Sequence, residues 1–503
     1  MAGRGLDTER RIWQAICMDD ALLNLLGVST EDWAQTPESV RLVVRSLVET
    51  VESLGTELRT LTTQVQELQA RVGQTAQNSS KPPSSDPPSA PPTHPRTPRG
   101  RKAGAQVGHE GPQRPLVPPD QVDVPIDLRP DSCPHGHTDL APCLPDASPL
   151  RRTQVWELPP IIPIVTEYRQ HTLCCPQCRE LVTADLPPDA PPGAFGPRAT
   201  ALMGLLRGHY RFSLDATEEF LAEVCNLPLR SGRMVSSCER VSEALAPVDA
   251  AIQEAVRAHP QVNADETSWP TETRTGWLWV AVCAIATCFR IHPSRGKAGL
   301  RAVLGEAYRG IVGSDRLGTY KQFTPGHRPL CWAHLIRNLL GLLSRYADDT
   351  GWARRMLALT DDLFFAGHAY QEGWYDQIAV QQARIPVRLA MLDLLQEGRS
   401  VPYPKIAGFS RELLKQWDAL WTFRRVEGVE PTNNAAERAL RPAVLWRKGS
   451  FGSRSAAGCR FAERMLRVCA TCAQQGRPHF AFITEAVCAA WAGEPAPTLI
   501  LTP

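Results

Sequence analysis

Three carboxylates stand where a divalent-cation site would need them. Asp265 closes the short apolar run VNAD, Asp315 follows the β-rich run IVGSD, and Glu437 opens the helical stretch NNAAERALRP. Hard cations such as Mg2+ or Mn2+ take oxygen ligands. Two such ions about 3.5 to 4 Å apart clamp the attacking and leaving oxygens of a phosphoryl transfer. Arg438, Arg441, Arg447 and Lys448 crowd behind Glu437, where cations would grip phosphates. Each acid also has a local role open to it. Glu437, three residues after Asn434, fits a capping box and can pair with Arg441; Asp265 and Asp315 each precede a turn. Their joint order and context, rather than any one of them, points to a single metal site.

The elements that must position these acids follow from periodicity. VNADETSW and TGWLWVAVCAIATCFRIHP predict three strands, the last two joined near Ala284; AGLRAVLGEAYRG predicts a helix and IVGSD a fourth strand. RPLCWAHLIRNLLGLL then reads as a fifth strand entering a helix, which carries His334 and Arg337. Strand, strand, strand, helix, strand, helix, strand is the order of a ribonuclease-H-like α/β fold. Residues 345–425 read mainly as helices, an insertion that separates Asp315 from Glu437. Asn433 and Asn434 are expected to shape the helix start under Glu437.

Towards the amino terminus the pattern changes three times. Val44, Leu47, Val51, Leu54, Leu58, Leu61, Val65, Leu68 and Val72 recur at alternating three- and four-residue steps, mostly Val at a and Leu at d. That seam predicts a parallel two-stranded coiled coil, hence a homodimer or higher oligomer. From 77 to 121 the chain is rich in Pro, Ser, Gly and basic residues, a semi-rigid linker in which Arg101 and Lys102 would meet a phosphate backbone. Cys133-Pro-His-Gly-His137 and Cys175-Pro-Gln-Cys178 follow, with Val155 and Ile161–Tyr168 read as ribbon strands between them. Cys133, His137, Cys175 and Cys178 are the four-ligand candidate for Zn2+. Cys469 and Cys472 share the CxxC spacing but lie in a helical pattern, so they are assigned to core. Residues 198–245 predict helix, turn, helix, with Arg230 and Arg233 placed to face DNA from the second helix.

These readings divide the chain into a helical segment (1–35), the coiled coil (36–76), the linker (77–121), a zinc-finger-like module (122–190), a helical segment with a candidate helix-turn-helix (191–255), the catalytic domain (256–490) and a tail (491–503). A hydrophobic fraction of 43% with 21% charged residues excludes wholesale disorder, and a net charge of +2 means that DNA binding must come from local basic patches. The longest uncharged apolar run, Trp277–Phe289, is short of the roughly 20 residues that cross a bilayer. Charge follows the first methionine almost at once, unlike a signal peptide, and fifteen scattered cysteines fit reduced thiols in a cytosol.

The chain resembles the insertion-sequence-66 family of bacterial transposases. NSSKPPSSD from Asn78, RKAGAQVGHEG from Arg101, the cysteine pairs, ADET from Ala264, GSDRLGTY from Gly313, CWAHLIRN from Cys331 and PTNNAAERALRP from Pro431 carry the resemblance, in the family's order. It implies a multidomain α/β chain with a zinc-finger-like module and a DDE catalytic domain interrupted before its glutamate. Asp265, Asp315 and Glu437 are then the three catalytic acids, with Mg2+ or Mn2+ as cofactor. Gly136 stands where the family has the second cysteine of its first pair, which departs from the four-cysteine pattern. Implied partners are double-stranded DNA at the element ends and target, a second copy, and small accessory transposition proteins, all in the bacterial cytoplasm at the nucleoid. Two other readings use the same residues: a nuclease that cuts without joining, and an inert dimeric DNA-binding regulator.

Overall fold

The alternation in QVNADETSWP is realised as a ten-residue strand at the centre of a four-stranded sheet. The computed structural model describes residue 27 and residues 29–72, 114–140, 151–272, 275–346 and 351–500. The chain is mixed α/β and mostly helical, and it divides into two units, Met1–Ala90 with Arg337–Arg354, and Pro91–Ile336 with Arg355–Pro503.

In the first unit, α1 (Thr30–Gln35) is capped by Ser29, whose side chain accepts from Asp32 N at 3.0 Å. The heptad segment follows as one unbroken helix, α2 (Glu38–Val72). Its seam residues Leu47, Val51, Leu54, Leu58, Leu61 and Val65 are all at least half exposed along the helix.

Among the described residues of the second unit, irregular chain precedes a two-stranded antiparallel ribbon, β1 (Thr172–Cys174) with β2 (Leu181–Thr183). Ile161–Tyr168, expected as ribbon strand, forms none. Pro159, Pro160 and Pro163 remove the N–H donors a ladder needs there. Helices α3 (Pro197–Gly208), α4 (Leu214–Glu223), α5 (Ser231–Ala244) and α6 (Ala246–Ala258) lead into the sheet. Its strands are β3 (Gln261–Pro270), β4 (Thr275–Val282), β5 (Thr287–His292) and, after α7 (Lys297–Leu304), β6 (Ile311–Gly313). The order is β5-β4-β3-β6, with β6 parallel to β3 and the other pairs antiparallel.

Successive side chains alternate faces. Val262, Ala264, Trp279 and Ala281 join the core under α6 and α7, whereas Trp269, Leu278 and Val280 pack beneath α14 (Asn434–Ser450). The edge strand β5 is sealed by α15 (Ala456–Gln474), whose Glu463 accepts Ile291 N at 2.7 Å while the fully buried Arg467 donates to Phe289 O and pairs with Asp249. A last helix, α16 (His479–Ala492), packs on α3 and α5. Cys469 and Cys472 are buried in α15, as their helical spacing predicts, and burial pushes the Cys472 thiol up to about 11.

The fifth strand expected at RPLCW is reduced to a lone parallel bridge, Ser314 to Leu330. Pro329 has no donor, and Leu330 N turns away to Ala419 O at 3.1 Å, so no ladder extends. The chain instead enters α8 (Trp332–Tyr346) and the predicted helical excursion: α9 (Trp352–Gln371), α10 (Gln377–Gly398), α11 (Pro404–Lys415) and the short α12 (Trp417–Leu420) and α13 (Thr422–Arg425). The two ends of the excursion are tied together. Trp332 N donates to Pro431 O at 3.0 Å and Trp332 Nε1 to Leu420 O at 3.1 Å, so about a hundred inserted residues leave and re-enter at one place.

Candidate active site

The three predicted acids come from three different elements. Asp265 lies in mid-β3, opposite Val280 of β4, two residues past the point where Asn263 pairs with Gly313 at the end of β6. A Cβ at Gly313 would fall 2.2 Å from Asn263 Oδ1, so the Asn263 side chain would have to swing aside to admit one. Asp315 follows immediately, its carboxylate accepting from Leu317 N at 2.8 Å, which fixes the loop as an aspartate turn. Glu437 sits in the first turn of α14.

Asp315 and Glu437 both act electrostatically on Asp265. Asp265 is held well above the usual carboxylate range, first by burial and then by the charges of Glu266, Asp315 and Glu437; its one opposing influence is the hydrogen bond from Glu266 N. Like charges crowded in a partly dry site disfavour one another. Divalent cations relieve that crowding, and an all-oxygen donor set is the chemistry Mg2+ and Mn2+ prefer. The donors are of the kind such ions take, and the three carboxylates would have to draw together to hold one, since they form no three-ligand group within 4.8 Å among the described residues.

Supports for each acid are visible. Asn433, buried at the start of α14, donates from Nδ2 to Ala264 O at 2.8 Å, tying the helix to the strand that carries Asp265. The side chain is thus used across the site rather than to cap its own helix. Arg328, 2% exposed, donates to Asp315 O at 3.0 Å, Leu317 O at 3.3 Å and Gln416 Oε1 at 3.0 Å, holding the Asp315 turn from beneath. His334 Nδ1 stands 3.4 Å from Glu437 Oε1.

Glu266 was not among the residues picked from sequence. It follows Asp265 but points to the opposite face of β3, where its side chain is 2% exposed. Arg295 donates to its Oε1 at 3.1 and 2.9 Å, and the buried Tyr320 hydroxyl donates to Oε2 at 3.0 Å. Burial, followed by the charge of Asp315, pushes Glu266 up to about 7, against the pull of Arg295 and Tyr320. Arg295 also lies over the Trp277 ring. The ADET pair of adjacent acids was the available signal; what hid the second acid is that Arg295 and Tyr320 are remote in sequence.

The predicted cations divide. Arg438, Arg441 and Lys448 of α14 are exposed, as are Arg230 and Arg233 at the start of α5. Arg447 is half-buried and spends its guanidinium on Thr267 Oγ1, at 3.0 Å, and on Ser268 of β3. Seven residues, Val224 to Arg230, separate α4 from α5, a longer link than a compact helix-turn-helix uses. Arg101 and Lys102 lie outside the described residues.

Among the cysteines, Cys133 Sγ and His137 Nδ1 are 3.2 Å apart in one tight turn, and Cys175 and Cys178 are joined by hydrogen bonds that lower the Cys175 thiol. Each half of the candidate zinc set is thus formed locally; the four do not gather into one cluster among the described residues.

Comparison with known proteins completes this picture. The transposase IS66 family matches residues 192–460, which include all three acids. The chain belongs to that family. A family of unknown function matches residues 31–115, covering α2 and most of the linker. Two proteins of Sinorhizobium fredii, both described only as uncharacterized, are each 24% identical: y4hP over 61% of this chain and 62% of its own length, y4qI over 45% and 47%. This IS66-family chain therefore spans less than two thirds of either relative. Among its described residues no helix is long and apolar enough to cross a membrane.

Proposed function

We propose that this chain cuts and joins DNA as a DDE transposase, with a ribonuclease-H-like domain whose catalytic acids are Asp265, Asp315 and Glu437. The observation that carries the reading is electrostatic: acids from β3, the end of β6 and α14 all bear on the Asp265 carboxyl. When bound, Mg2+ or Mn2+ at these acids supplies activation of an oxygen nucleophile and stabilisation of the leaving oxygen. The protein's own contribution is placement. Asn433 and Arg328 fix two of the acids against the sheet, and exposed Arg438 and Arg441 offer charge to a DNA strand alongside Glu437. The reaction is hydrolysis of the phosphodiester at an element end, followed by attack of the freed 3′-hydroxyl on target DNA, with no covalent enzyme intermediate.

The exposed Val and Leu seam of α2 supports a parallel coiled-coil dimer, which would bring two element ends to one assembly. The two cysteine turns support a small zinc module, formed when its halves close on the ion. Strand-transfer products separate this function from a nuclease. Incubating the chain with labelled element ends, target plasmid and Mg2+ should yield joined molecules; cleavage without joining would favour the nuclease, and DNA binding without either would favour the inert regulator.

A further inference from the structure

The short motif Cys331-Trp-Ala-His334 at the start of α8 is placed against the start of α14, where Glu437 lies. Cys331, His334 and Glu437 offer a sulfur, an imidazole nitrogen and a carboxylate oxygen, all within 4.8 Å of one another. We propose that this triad binds a borderline divalent transition ion of the Zn2+ class, at a site that shares Glu437 with the all-oxygen acids but differs from them in chemistry.

Three observations support the assignment. Mixed sulfur, nitrogen and oxygen donors select Zn2+ or Co2+ over Mg2+, whereas Asp265 and Asp315 offer only oxygens. The Cys331 sulfur is anchored beside the start of α14, where Asn433 N donates to it at 3.1 Å. The imidazole and carboxylate already face each other, His334 Nδ1 to Glu437 Oε1 at 3.4 Å, so the ligands converge without a change of fold. Three protein ligands leave a fourth position for water or an incoming oxygen. Binding would release the thiol proton to solvent and draw Glu437 from the Mg2+ acids, so that Zn2+ and Mg2+ compete for one carboxylate.

The test reads metal binding directly. In full-length chain carrying Cys133→Ser, Cys174→Ser, Cys175→Ser and Cys178→Ser, which removes the thiols of the two zinc-module turns, Co2+ is titrated in the absence of DNA. The expected result is a sulfur-to-cobalt charge-transfer band that saturates at one ion per chain and disappears with Cys331→Ser. His334→Gln, at a partly exposed position, should weaken Co2+ binding at least about tenfold, near 1.4 kcal/mol. Absence of the band in the parent, its persistence in Cys331→Ser, or unchanged affinity in His334→Gln overturns the proposal. Because Asp265→Asn should keep the band while losing Mg2+-dependent chemistry, failure of the catalytic reading and failure of this site give different results.

Discussion

Replacing Glu266 by Gln should change how the metal-free protein responds to pH, and by a calculable amount. Glu266 rises from 4.5 in the unfolded chain to about 7 in the folded one, because it is buried beside Asp315. Below 4.5 both states hold the proton and the group is neutral in the balance. As pH rises towards 7 the unfolded chain releases its proton while the folded one retains it, so folded stability is lost across that window. The difference between 4.5 and about 7 corresponds to about 3 kcal/mol. Gln keeps an acceptor for Arg295 and does not titrate. In chelator-treated protein, urea unfolding followed by the emission of the neighbouring buried Trp269 and Trp279 measures the difference at several pH values. Wild type should lose about 3 kcal/mol relative to Glu266→Gln between pH 4.5 and pH 7. A difference that stays flat, or one that favours wild type as pH rises, would refute the placement of Glu266 as a buried acid under the site.

Other consequences follow from the same contacts. Asn433→Ala removes the donor to Ala264 O and leaves that carbonyl unsatisfied, which should cost about 1–3 kcal/mol by chemical denaturation and slow DNA cleavage, since Glu437 loses its tie to β3. Asp249→Ala strips the partner from the fully buried Arg467 and should destabilise by about 3–5 kcal/mol, read as a fall in unfolding midpoint. Leu54→Lys with Leu61→Lys places charges on the exposed seam of α2; sedimentation should show the dimer converted to monomer, and an unchanged mass would dispose of the coiled coil.

The elements that carry the candidate acids were legible in large part because they are encoded locally. Asp315 follows the apolar run that forms β6 and Glu437 stands early in a helical run that forms α14, whereas Asp265, expected at a strand end before a turn, lies in mid-β3 because the alternation continues through ETSW. The helical excursion was likewise readable from its 3.6-residue period. Features that depend on distant partners were not. Glu266 is indistinguishable from any strand acid until Arg295 and Tyr320 are seen to enclose it. Arg447 counts as a basic residue in sequence, yet Thr267 and Ser268 consume it. The apolar character of Ile161–Tyr168 suggested strand, but Pro159, Pro160 and Pro163 outweigh it, and Leu330 exchanges a ladder for the insertion's Ala419. Apolar content sets what a segment can bury, while donors and partners decide whether it pairs.

The central claim is that Asp265, Asp315 and Glu437 act as one divalent-cation site for phosphodiester chemistry. It is tested most directly by the initial rate of Mg2+-dependent cleavage of a labelled element end, compared among wild type, Asp265→Asn, Asp315→Asn and Glu437→Gln, each first shown to fold and to bind the same DNA. All three substitutions should lower the rate at least about a hundredfold, or about 2.7 kcal/mol of transition-state stabilisation, and a double variant should lose little more than a single one because the acids work as a unit. Cleavage at the wild-type rate by any one of the three would contradict the account.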